Sequence, residues 1–189
     1  MRRRDLLKTA LPALPLAGLL QGATIPRPAP DIAITMPNSL PPVRLSQYKG
    51  KVVAVEFLLT YCSHCQRASR TTELVYRDYA GQGFMAIGAA INPGGDVVGY
   101  KRDHNVTFPV GSVSQDTCMF FMQHLPMQRL LLPMVAFVDH NFNIVEQHGG
   151  DDAAFFGEAE EKNLRAVVER LLKARSTPAK AVKSGKKKG

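Results

Sequence analysis

The chain has 189 residues, 45% of them hydrophobic, which is long enough to bury one well-packed α/β core. Its formal charge of +8 sits at the ends: residues 1–27 sum to +4, residues 173–189 to +7, and the body between them to −3. A mildly acidic body excludes nucleic acid as the partner.

Arg3-Arg4-Asp5-Leu6-Leu7-Lys8 resembles the twin-arginine export consensus, two arginines followed by an apolar pair and a lysine. The apolar stretch Thr9 to Leu20 is broken by Pro12 and Pro15, so it is too short and too interrupted to cross a bilayer. Leu20-Gln21-Gly22 and Gln21-Gly22-Ala23 are the best cleavage candidates. Residues 1–25 are therefore expected to be an export signal, placing the protein in the periplasm or another extracytoplasmic space of a bacterium. That space is oxidising, and disulfide chemistry has substrates there. Residues 26–42 are Pro-rich and read as a linker with a short lead-in strand, Ile32–Thr35. The domain proper is expected over 43–174. Residues 175–189 read as a disordered basic tail, and this tail or the N-terminal segment is where any membrane contact would be made.

Val52 to Leu59 is an unbroken apolar run of central-strand type, apart from Glu56. The segment Cys62 to about Tyr79 is helical, with Cys65, Ala68, Ser69, Thr72, Val75, Tyr76 and Tyr79 on one face. Gly81-Gln82-Gly83 stops it, and Phe84–Ile91 is the next strand. Asp96–His104 reads as a short helix, Phe108–Val113 as a short strand, and Ser114–His124 as a helix holding Cys118. Met134–Val138, the turn Asp139-His140-Asn141 and Phe142–Gln147 form a hairpin. An amphipathic helix closes the body. Leu164, Val167, Val168, Leu171 and Leu172 form its apolar face, with acids at its start and Arg170, Lys173 and Arg175 at its end. The order βαβ followed by ββα predicts an α/β fold, a mixed sheet with helices on both faces.

Cys62-Ser63-His64-Cys65 follows the first core strand directly, the layout of a thiol–disulfide redox site. A Cys in the first turn of a helix faces unpaired backbone N–H groups and the positive end of the helix dipole, both of which favour thiolate. A second Cys three positions on lies on the same face, within reach of a small disulfide ring. The pair could also be half a structural zinc site, but no second ligand pair exists: Cys118 is alone and the remaining histidines form no tight pair. No cofactor or metal is expected. Glu56 is costly in a buried strand unless paired or used. Six residues before Cys62, it would point to the base of the cysteine helix, where a desolvated carboxyl can move the proton of Cys65. The plain alternative is a strand-end Glu paired with a surface Lys. Cys118 reads as a buried free thiol, with Met119, Phe120, Phe121 and Met122 beside it as core filling, and Tyr76 and Tyr79 as packing.

Leu45-Ser46-Gln47-Tyr48-Lys49-Gly50-Lys51, the Cys62/Cys65 pair and Leu132-Pro133-Met134-Val135-Ala136-Phe137-Val138-Asp139 together resemble the exported thioredoxin-fold family typified by TlpA and ResA, part of the broader redoxin group. The resemblance covers about residues 31–174. It implies a thioredoxin-like fold with an αβ insertion before the proline strand, and a thiol–disulfide oxidoreductase working on protein thiols and disulfides with a separate recycling partner. A monomer is expected. It also implies a cis Pro133 against the cysteine pair, a buried acid at Glu56, and a substrate groove formed by Tyr61, Leu132 and Pro133. Tyr61 stands where the family usually has Trp, Leu132 is bulkier than the usual Thr or Val, and Ser63-His64 differs from the common dipeptides. A His before the second Cys, shared with disulfide-forming oxidases, would favour the reduced pair; the plain alternative for His64 is an exposed helix residue.

Two other readings compete. A thiol peroxidase on the same fold would need a Pro and a Thr or Ser ahead of its reactive Cys; Thr60 is present, but Phe57–Tyr61 holds no Pro. A copper or zinc carrier would need Cys62, Cys65 and a distant His, with no clean ligand spacing.

Overall fold

The computed structural model describes residues 23–176; most of the expected export signal, and the basic tail beyond Ser176, lie outside the described residues. In chain order the strands are β1 (Arg27–Pro28), β2 (Ala33–Ile34), β3 (Val43–Arg44), β4 (Val52–Leu58), β5 (Phe84–Ala90), β6 (Val110–Ser112), β7 (Met134–Val138) and β8 (Asn143–His148). The α-helices are α1 (Ser63–Tyr79), α2 (Val97–Asp103), α3 (Gln115–Met122), α4 (Ala153–Phe156) and α5 (Glu160–Ser176). The main sheet runs β1-β8-β7-β4-β5-β6. β4, β5 and β6 are parallel and β7, β8 and β1 antiparallel, so the sheet is mixed as expected.

β4 lies at the centre, buried on both faces. Its alternation sorts the core into two layers. Val52, Ala54 and Leu58 pack with Cys65, Ala68 and Val75 of α1, Tyr100 of α2 and Leu164, Val168 and Leu171 of α5. Val53, Val55 and Phe57 face the opposite layer with Cys118, Phe121 and Met122 of α3, Ile32 and Ile34 of the lead-in, and Leu45 just after β3. Glu56 shares the parity of the α1 face, so the strand itself aims its carboxyl under the cysteine helix.

Helix ends follow local chemistry. Asp96 caps α2 through Gly99 N and Ser114 caps α3 through Thr117 N. Gly83 ends the segment after α1 at φ 98°, a left-handed conformation that favours glycine. Ser114→Ala should lower stability by about 1 kcal/mol, read as a shifted urea midpoint with unchanged slope. An unmoved midpoint would show that the cap contributes nothing.

Three details differ from expectation. Residues 26–42 carry the lead-in strand, but much of the stretch is packed: Ala29, Ile32 and Ile34 are buried, and β1 adds an edge strand next to β8. Arg27 fixes this edge by donating to Phe121 O at 2.8 Å and Gln147 Oε1 at 2.6 Å. Phe120 is 69% exposed rather than core filling, because the inward stripe of α3 runs through Cys118, Phe121 and Met122. α4 was not expected; Asp152 caps it by accepting from Phe155 N.

Candidate functional site

β4 ends at Leu58, and the chain turns through Leu59, Thr60 and Tyr61 into α1. Cys62 is the N-cap: its backbone is extended, its carbonyl accepts from Gln66 N at 2.9 Å, and its sulfur accepts from Cys65 N at 3.4 Å. The cap places Cys62 half-buried at the mouth of the helix and Cys65 one turn in, fully buried against the core. The two thiols are unbonded, so this is the dithiol form. Burial pushes the Cys65 thiol well above its ordinary range, and Cys62 and Glu56 push the same way. Cys118 sits in the other layer, pushed up to about 12 by burial alone.

The turn before Cys62 is braced from β5. Asn92, just past that strand, accepts from Thr60 N at 3.0 Å and donates to Thr60 Oγ1 at 3.0 Å. Gln66 Nε2 donates to Thr60 O at 3.1 Å. Sequence reading missed this brace, for Asn92 lies 32 residues from Thr60 and its Asn-Pro-Gly setting signals only a turn.

Glu56 is 2% exposed. Its Oε1 and the Ser69 hydroxyl share a hydrogen bond at 2.7 Å, while Oε2 is buried with no hydrogen-bond partner. Burial raises its pKa to about 7, partly opposed by the Ser69 hydroxyl. This excludes the expected alternative of a strand-end Glu on a surface Lys. Ser69 Oγ is also 2.7 Å from the Tyr100 hydroxyl, which donates to Cys65 O at 3.0 Å. The sequence pattern places Ser69 on the inward helix face; it predicts the helix that carries Tyr100 but does not single that residue out.

Pro133 is buried, and the Leu132–Pro133 bond is cis, as the resemblance implied. The register Phe57↔Met134 puts Pro133 beside the end of β4, at the sheet edge from which Cys62 emerges. Leu132 is half-buried there, and Gly150 N donates to Leu131 O at 3.1 Å. A Cβ on Gly150 would meet Leu131 O at 2.7 Å, so only glycine lets this loop lie flat against the segment leading to Pro133. Tyr61 is 73% exposed beside Cys62, and His64 projects from the first turn, exposed. Among the described residues, no group of three or more His, Cys, Asp or Glu side chains is arranged to hold a metal ion, and no helix is long and apolar enough to cross a membrane.

A dithiol at the mouth of a helix, a buried carboxyl beneath it and a cis-proline at the same sheet edge define a thioredoxin-like protein. The AhpC/TSA family model matches residues 25–147, and the chain belongs to that family. A search of curated proteins returned no significant match. Among solved structures, the chain is similar to a thioredoxin-family thiol:disulfide interchange protein from Chlorobium tepidum TLS, with 21% identity, a TM-score of 0.64, and 79% of this chain and 99% of that one covered. It is also similar to the thioredoxin domain of a thiol-disulfide oxidoreductase from Bacteroides vulgatus (20% identity, TM-score 0.60, 81% and 99% covered). A secreted thiol-disulfide isomerase from Corynebacterium glutamicum matches with 16% identity, a TM-score of 0.64, and 77% and 85% covered. At these identities the likeness is one of fold.

Proposed function

We propose that the protein is an exported thiol–disulfide oxidoreductase that exchanges disulfides with other proteins through Cys62 and Cys65. The observation that carries this reading is the asymmetry of the pair: one half-buried sulfur at a helix mouth, and one buried sulfur a turn before Ser69, whose hydroxyl bonds a buried carboxyl. In the reducing direction, Cys62 thiolate attacks a substrate disulfide, forming a mixed disulfide and releasing one substrate thiolate. Glu56 carboxylate then takes the Cys65 proton, and Cys65 thiolate attacks Cys62 Sγ. The Cys62–Cys65 disulfide forms and the second substrate sulfur leaves as thiolate. Oxidation of a substrate dithiol is the reverse. Tyr61 and Leu132 border the groove in which a substrate strand would lie on the backbone beside Pro133, and His64 favours the reduced pair. The substrates are protein thiols and disulfides, and a separate partner recycles the pair. The likeness in fold to thiol–disulfide interchange proteins and oxidoreductases supports this reading, as does the twin-arginine-like N-terminus for export.

A reduction potential of the Cys62/Cys65 couple measured against glutathione should fall between about −270 and −120 mV, the span from thioredoxin to a strong oxidant. A value below about −300 mV would mark an inert structural disulfide and end this reading. The peroxidase alternative is separated by peroxide consumption in the presence of dithiol, where this protein should show no turnover dependent on Cys62.

A further inference from the structure

Four groups form one continuous chain beneath the dithiol: Glu56 Oε1, Ser69 Oγ, the Tyr100 hydroxyl and the backbone carbonyl of Cys65. Their successive separations are 2.7, 2.7 and 3.0 Å. Each is short enough to be a hydrogen bond. Three hydrogen bonds need three protons, yet the hydroxyls supply one each and the peptide carbonyl only accepts. The third proton has one place to sit, on Glu56.

We infer that Ser69 and Tyr100 form a proton-counting relay, which closes onto Cys65 O when Glu56 is protonated and must break at one contact when Glu56 is ionised. In the closed form Glu56 donates to Ser69, Ser69 to Tyr100, and Tyr100 to the Cys65 carbonyl. In the ionised form the carboxylate takes the Ser69 proton, a charge-assisted bond and the stronger claim. Ser69, polarised by that bond, becomes the better acceptor, so Tyr100 turns to it and releases Cys65 O. Tyr100 is thus a positioning residue that ties α2 to the first turn of α1 according to the charge on Glu56.

The relay deepens the proposed exchange reaction and rests on that reading for its use. When Cys65 gives its proton to Glu56, the carboxyl becomes neutral and the chain closes. The turn carrying the new Cys65 thiolate is held while it attacks Cys62 Sγ, and the proton stays on Glu56 until the disulfide has formed. Because Glu56 titrates near neutrality, both forms are populated under ordinary conditions. The other ionisable groups acting on this cluster are Cys62 and Cys65 of α1 and Glu160 of α5, the last held by Arg67 at 3.2 Å. β5 and β7 bring Gly88 and Val135 alongside Glu56, neither of which titrates.

The test is carbon-13 NMR of the reduced full-length protein with labelled cysteine carbonyls and glutamate carboxyls. The Cys65 carbonyl should shift with pH at the same midpoint as the Glu56 carboxyl. Tyr100→Phe should remove the Cys65 step while Glu56 still titrates, and Glu56→Gln should remove both. Ser69→Ala breaks the chain at its centre and should act as Tyr100→Phe does, which keeps the test decisive if the Phe variant fails to fold. Ser69→Thr, which keeps the hydroxyl, should restore the step. A Cys65 carbonyl with no step at the Glu56 midpoint, or a step undiminished in both Tyr100→Phe and Ser69→Ala, overturns the relay. Unimpaired exchange in Glu56→Gln would instead overturn the role of Glu56 in the reaction while leaving the relay standing.

Discussion

A brief iodoacetamide pulse on the reduced protein near neutral pH labels Cys62 and leaves Cys65 and Cys118 almost untouched. Alkylation needs thiolate within reach of the reagent. Cys62 is half-buried at the helix mouth, whereas Cys65 and Cys118 are both fully buried. A thiol held near 12, as Cys118 is, carries on the order of a thousandth of the thiolate of an ordinary thiol near pH 7. Cys65 is pushed further in the same direction. The same asymmetry governs trapping. Cys65→Ser should accumulate mixed disulfides with substrate proteins, because the attacking sulfur survives while the resolving one is gone. Cys62→Ser should trap almost none. Peptide mapping that finds Cys65 or Cys118 labelled ahead of Cys62 would reverse the assignment.

Replacing Glu56 by Gln makes stability less dependent on pH between about 4.5 and 7. The folded protein holds the Glu56 proton up to about 7, against an ordinary carboxyl value of 4.5. Across that window the folded state binds more protons than the unfolded one, so stability falls as pH rises. Below 4.5 both states are protonated and there is no penalty; above 7 the penalty is complete. A shift from 4.5 to about 7 corresponds to about 3 kcal/mol. Urea unfolding at pH 4.5 and pH 8 should therefore show the wild type losing about 3 kcal/mol more than Glu56→Gln over this span. Any constant cost of placing an amide at this site cancels in the difference. The Gln variant should also resolve mixed disulfides slowly, having no acceptor for the Cys65 proton. Equal losses in the two proteins would show that Glu56 does not hold its proton on folding.

The dithiol, the strand before it and the helix it opens were legible because each rests on local pattern. The apolar run Val52–Leu59, broken only by Glu56, announces β4, and Cys65, Ala68, Thr72, Val75, Tyr76 and Tyr79 keep one face through α1. Even the inward aim of Glu56 follows from period-2 alternation with Val52, Ala54 and Leu58. Pro133 was different: its cis form and its place in the site came from a family resemblance, since no local pattern in Leu132-Pro133-Met134 points to Cys62. β1 was illegible for a related reason. A two-residue strand carries no period, and it is defined by pairing with Ile144 and Asn143 and by Arg27 reaching Gln147, 120 residues away.

The sequence by itself therefore determined the order of the longer elements, the cysteine pair at the start of α1 and the face on which Glu56 lies, because backbone geometry repeats every 2.0 or 3.6 residues wherever the chain goes. What holds Glu56, what braces the turn before Cys62, and what reaches the Cys65 carbonyl were decided only by tertiary structure. Those contacts join Glu56 to Ser69, Thr60 to Asn92 and Tyr100 to Cys65 over separations of 13, 32 and 35 residues. A hydroxyl or amide can serve many partners with little difference in local pattern. Its partner is chosen when the sheet stacks β5 against β4 and α2 is folded over α1, because a buried polar group must then bond to whatever that packing brings within 3 Å or bear the cost of being left alone.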